Sequence, residues 1–160
     1  MKEYKAPESY STDGKPSIFL AGSIEMGTAD DWQAKVCKIL KNKDIVILNP
    51  RRLKWDPTWE QRMSNPKFTE QVVWELDSLG SCDAIMLYFD PTSKAPISLL
   101  ELGLCCNADK LIVMCPDGYW RKGNVEIVCD RFDVPMVDTF EELVEKTYQL
   151  AVKRNSKRKR

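Results

Sequence analysis

The residue pattern points to a parallel β-sheet covered by helices on both faces, on three grounds. Short apolar runs recur without polar alternation, as strands buried on both sides require. Each is followed by a stretch whose apolar residues fall three and four apart, so that strands and helices alternate along the chain. The 160 residues, 43% apolar and 30% charged, suffice for one domain with a full core and are too few for two ordinary ones.

The elements follow in order. Ser17-Ile18-Phe19-Leu20-Ala21-Gly22 is a first strand closed by glycine. Thr28, with Asp30 and Asp31 behind it, is placed to cap a helix that carries Trp32, Val36, Ile39 and Leu40 at helical spacing. Asp44 to Pro50 is a second buried strand ended by proline. Arg51 to Pro66 has two tryptophans, three arginines and two prolines without a period; it is too long for a tight turn and too aromatic for a linker, and reads as a structured functional loop. A helix over Lys67 to Gly80 should turn Val72, Val73, Leu76 and Leu79 inward. Asp83 to Phe89 is a third strand, Asp90 to Lys94 a loop, and the next helix runs to about Ala108. Lys110 to Pro116 is a fourth strand, followed by a short helix near Asn124 to Arg131. Val134 to Val137 is a weak fifth strand that Pro135 marks as an edge, and Thr139 caps a last helix ending near Val152.

The simplest right-handed winding of five such strands is the order 2-1-3-4-5, a flavodoxin-like or Rossmann-like domain with helices on both faces. Residues 1–16 are then an N-terminal extension, 17–153 the α/β domain and 154–160 a basic, disordered tail. Ligands in such sheets bind beyond the carboxyl ends of the strands at the switch point, where Ala21 to Ile24 and Asp90 to Pro96 should meet.

Composition excludes several classes. No apolar run is long enough to cross a bilayer, and the N-terminal residues lack the apolar core of a signal peptide, so the expectation is a cytoplasmic protein with no membrane partner. The basic end, Lys153 to Arg160, reads as a solvated terminus, or as a nuclear-targeting or nucleic-acid contact; nucleic acid is not the expected partner. Most of the six cysteines sit in apolar segments and there is no histidine. Free thiols are expected, no metal site is expected, and acid–base work falls to carboxylates, Tyr, Lys, Cys or water. Without GxGxxG or GxxxxGK[ST], nucleotide-cofactor and ATP-loop readings fail, and no cofactor is expected.

The unusual residue is Glu101, in Leu99-Leu100-Glu101-Leu102-Gly103-Leu104. Its helical neighbours are Ile97, Ser98, Leu104 and Cys105, an expensive setting for a charge. It lies on the helix leading out of the switch-point loop. Glu101 is either a structural acid, paired with backbone N–H groups or an arginine, or a poised functional one. Gly22-Ser23 is either a tight turn or a ligand cradle. Glu75 would ordinarily be an exposed helix charge, and Asp83 a cap at a strand start. Trp55 and Trp59 could stack on a base or close their loop.

Taken together, Ile18-Phe19-Leu20-Ala21-Gly22-Ser23, Val73-Trp74-Glu75-Leu76 with Asp83 eight residues on, Leu100-Glu101-Leu102-Gly103 and Trp120-Arg121-Lys122-Gly123-Asn124-Val125 resemble nucleoside 2-deoxyribosyltransferases and their nucleotide N-glycosidase relatives. The resemblance spans roughly residues 17 to 145. It implies that Glu101 attacks the anomeric carbon and holds a deoxyribosyl ester until a second base, or water, takes the sugar. It also implies that Glu75 handles the base and its proton, and that Asn124 positions nucleophile and sugar. Phe19, where the family has a tyrosine, and Gly22-Ser23 would line the sugar pocket. Ala95 stands where relatives carry an aspartate or serine, so Ser98 or Ser93 would substitute. The implied partners are a deoxynucleoside, a free nucleobase and further copies of the chain in a homo-oligomer. A hydrolase, or a nucleotide-sensing module without turnover, are the alternatives.

Overall fold

The computed structural model describes residues 1–24 and 31–159. Six strands form one parallel sheet: β1 Lys2–Lys5, β2 Ser17–Gly22, β3 Val46–Asn49, β4 Ala84–Tyr88, β5 Leu111–Met114 and β6 Met136–Val137, in the order β1-β3-β2-β4-β5-β6. The five expected strands take the expected order. The sixth is β1, which extends the sheet beyond β3 with Lys2 opposite Val46 and Lys5 opposite Asn49. Only Tyr4 of this strand is buried; backbone pairing, not an apolar run, makes it a strand.

Five helices cover the sheet: α1 Trp32–Leu40, α2 Pro66–Ser81, α3 Pro96–Cys105, α4 Lys122–Arg131 and α5 Phe140–Arg158. Strand side chains point alternately to opposite faces. Ile18, Leu20, Ile47, Met86 and Ile112 therefore meet Trp32 and Val36 of α1 and Leu143 and Ala151 of α5. Phe19, Ala21, Leu48, Leu87 and Val113 meet Trp74 of α2, Leu102 of α3 and Val125 of α4. Both layers are apolar, which is why the strands read as uninterrupted apolar runs.

Several expectations need correction. The cap of α1 is Asp31, whose side chain accepts from Ala34 N; Thr28 and Asp30 lie outside the described residues. Ile39 of α1 and Val73 and Leu76 of α2 are about half exposed; the inner stripe of α2 is Gln71, Trp74, Ser78 and Leu79. The basic end is not a disordered tail: α5 continues through Arg158. Its last turns are tied down by Asn155, which is buried, and by Arg154, which donates to Asp109 O at 3.0 Å.

Asp83 explains why those turns stay folded. Its Oδ2 accepts from Ser17 N (2.9 Å), Ser17 Oγ (3.0 Å) and Asn155 Nδ2 (3.4 Å), and Arg158 lies 3.4 Å from Oδ1. One buried carboxylate thus joins the amino ends of β2 and β4 to α5. Asp83→Ala should cost about 2–4 kcal/mol, since it leaves several buried donors unpaired; a chemical-denaturation midpoint measures it, and a change within 0.5 kcal/mol would show that the network contributes nothing.

Candidate active site

At the switch point the loops after β2 and β4 do meet. Gly22 ends β2 at φ +140°, and a Cβ there would stand 2.2 Å from Tyr88 O; only glycine lets the two backbones approach this closely. Ser23 N then donates to Tyr88 O at 3.0 Å. Ser23 Oγ accepts from Asp90 N (2.9 Å) and shares a 2.6 Å hydrogen bond with Ser93 Oγ. Asp90 folds its own loop by accepting from Thr92 N and Thr92 Oγ1. The crevice floor is therefore stitched from both sides.

From this floor α3 departs. Ala95 precedes it at φ +41°, in the left-handed region, and Pro96 opens the first turn, where a missing N–H costs nothing. The turn is strapped from outside: Tyr119 Oη and Trp120 Nε1 both donate to Lys94 O, at 2.8 and 3.1 Å. Ser98 and Glu101, three residues apart, then share the inner face with Leu102 and Cys105. Ile97, Leu100 and Leu104 point the other way and are exposed. Of the four neighbours that helical spacing suggested, Ser98 and Cys105 share the inner face with Glu101, whereas Ile97 and Leu104 do not.

Glu101 is 8% exposed. Among the described residues no cation and no hydrogen-bond donor stabilises its charge. Burial, and after it the nearby charge of Glu75, push its carboxyl up to about 8. Glu75, reaching over from α2, is half-buried, and burial raises its carboxyl too, opposed by a hydrogen bond from Gln71. Burial thus favours the protonated form of both acids, and the Glu75 charge favours it further at Glu101. Such a pair can supply a carboxylate nucleophile and a proton donor in one small space.

Residues 15–119, about two thirds of the chain, match the family described as nucleoside 2-deoxyribosyltransferase like. The chain belongs to that family. Membership indicates a glycosyltransferase-like enzyme acting on nucleosides. The solved structure of a conserved protein from Enterococcus faecalis V583 is similar in fold, with a TM-score of 0.60 and 12% identity, covering 84% of this chain and 98% of that one. No curated protein matches the chain. Among the described residues no helix is long and apolar enough to cross a membrane, and no three His, Cys, Asp or Glu side chains are grouped to hold a metal ion.

Against this family frame, the singled-out residues separate. Glu101 and Ser98 lie on the inner face of α3, and Glu75 is half-buried on α2, its charge reaching Glu101. Gly22 and Ser23 are at the crevice floor, but the Ser23 hydroxyl is buried and engaged with the opposite loop. Phe19 is 0% exposed and packs on Trp74, ring centroids 6.4 Å apart, so its place is in the core and not on a ligand-facing wall. Asn124 lines a hollow of about 360 Å³ between α3 and α4, with Leu99, Leu102, Gly103 and Arg121. In the Arg51–Pro66 segment Trp55 and Trp59 meet each other edge to face, and Arg52 sits over Trp59; here the aromatic rings close the loop.

One residue that sequence reading passed over is Gln71, 4% exposed on α2. Its Nε2 donates to Pro50 O and to Glu75 Oε1, both at 2.8 Å. The available signal was its position four residues before Glu75, on the same helical face.

Proposed function

We propose that the protein exchanges the base of 2′-deoxyribonucleosides by N-glycosidic cleavage through a covalent deoxyribosyl ester on Glu101. A Glu101 oxygen attacks C1′ as the C1′–N bond breaks, and the departing base takes a proton from Glu75. A second base then attacks C1′ through a ring nitrogen, its proton passes to Glu75, and the Glu101 carboxylate is released. The observation that carries this reading is a buried carboxylate held without a cation or donor beside a second acid. A structural acid would be paired, whereas an oxocarbenium-like transition state is stabilised by an adjacent carboxylate, as in retaining glycosidases.

The reactive form has the proton on Glu75 and the charge on Glu101. Both sites sit above the ordinary carboxylate range, so kcat/KM should be bell-shaped in pH, with limbs that belong to the pair. The deciding experiment incubates a deoxynucleoside with and without a second free base and separates the products. A new deoxynucleoside is expected only when the second base is present. Base release that ignores the acceptor and makes no new nucleoside would replace the transferase with a hydrolase, and tight binding without release would leave a sensing module.

A homo-oligomer and a cytoplasmic location complete the proposal. Ile97, Leu100 and Leu104 of α3, Trp120 beside them and Ile127 of α4 leave an apolar surface uncovered, which a second copy of the chain would bury. All six cysteines are free thiols, as in a reducing compartment. Sedimentation of the purified chain tests the assembly; a monomer at all concentrations rejects it.

A further inference from the structure

Resting on the reading of Glu75 as the acid that protonates the leaving base, we infer that Gln71 is a positioning residue that dictates which oxygen of Glu75 carries the proton. The chain of contacts begins at a group that cannot change its role. Pro50 O is a backbone carbonyl at the end of the second buried strand, and it can only accept. It receives one N–H of the Gln71 amide at 2.8 Å, which fixes Nε2 on that side. The other N–H of the same nitrogen reaches Glu75 Oε1, also at 2.8 Å. Turning the amide over would set its oxygen against Pro50 O, so the orientation is locked.

Two consequences follow. Glu75 Oε1 is reserved as an acceptor, and when Glu75 takes up a proton that proton belongs on Oε2, the oxygen left for a ligand. The Gln71 carbonyl, Oε1, is in turn buried with no hydrogen-bond partner. A lone helical glutamine would turn to satisfy that atom; this one leaves it unsatisfied to keep both N–H contacts. Across to the neighbouring helix, the Glu75 charge raises the Glu101 carboxyl on α3, an effect that does not distinguish the two Glu75 oxygens. Gln71 makes that choice.

The test uses the full chain with glutamate side-chain carboxyl carbons labelled with carbon-13. In the Glu101→Gln background Glu75 titrates without its coupled neighbour, and its resonance is assigned by loss in Glu75→Gln. Adding Gln71→Met removes the donor with little change of volume, and the Glu75 midpoint should move upward. In the otherwise native chain, Gln71→Met should slow base release about tenfold at the optimum pH, leave KM within about twofold, and displace the alkaline limb upward. An unmoved midpoint overturns the inference, and so does a variant that is merely less stable with an unshifted pH profile. Movement of the midpoint in a chain that releases no base supports the proton assignment and rejects the enzymatic role of the pair. Should Gln71→Met fail to fold, the native Gln71 side-chain amide resonances decide: they must shift with the Glu75 titration, and constancy across it overturns the assignment.

Discussion

Glu101→Gln is expected to abolish base release, by about a thousandfold or more, and at the same time to make the folded protein more stable near neutral pH. The two effects have one cause. Burial and the neighbouring Glu75 charge hold the Glu101 carboxyl at about 8, against 4.5 for the free group. Between those values the folded chain keeps a proton that the unfolded chain releases, so the folded state binds more protons and stability falls as pH rises. The contribution of this group is therefore fully present below about pH 4.5, declines through neutrality, and is lost by about pH 8. At pH 7 the loss already amounts to roughly 3 kcal/mol, taking 1.36 kcal/mol per unit of pH above about 4.5. A neutral glutamine removes that dependence. For a chain of this size the gain corresponds to an increase in Tm of about 5–10 °C at pH 7, shrinking to nothing near pH 4.5. Thermal unfolding of both proteins across pH 4–8.5, beside an assay of base release, measures both halves. If Glu101→Gln is no more stable than the native chain at pH 7, the carboxylate is stabilised by a partner, and its candidacy as a poised nucleophile fails.

Gly22→Ala should be the most damaging small substitution in the fold. The added Cβ would lie 2.2 Å from Tyr88 O, 3.0 Å from Tyr88 N and 3.1 Å from Trp32 Cζ2, at a φ of +140° that side chains avoid. The first two are backbone atoms of the paired strand and cannot swing aside. Relief requires β2 and β4 to separate at their carboxyl ends, which also pulls Ser23 from Tyr88 O and Asp90 N. A loss of about 3 kcal/mol or more is expected, with base release falling because the crevice floor shifts. Gly80→Ala is the control. Nothing lies within 4 Å of the atom it adds, and an alanine inside a helix should be neutral or stabilising by up to about 1 kcal/mol. Equal effects of the two substitutions would show that the close approach at Gly22 is not what the fold requires.

The amino-acid pattern specifies the parallel sheet, because strands buried on both faces must be apolar, and β4, β5 and residues 18–21 of β2 are. It determined the order of five strands through the handedness of their crossovers, and it marked Glu101 as an acid on the inner face of its helix. It did not announce β1, whose Lys-Glu-Tyr-Lys run has no burial pattern and is held by backbone hydrogen bonds to β3. It misjudged the basic end, which is helical, with Asn155 and Arg158 turned in to Asp83. The remainder of the site comes from packing between elements. That the Glu75 charge bears on Glu101, that Ser23 is consumed in joining two loops and that Gln71 is locked between Pro50 and Glu75 all depend on distances between elements. Periodicity records which face of an element is dry. The protonation of an acid is set instead by what stands a few ångströms away through space, and that is a property of the assembled fold.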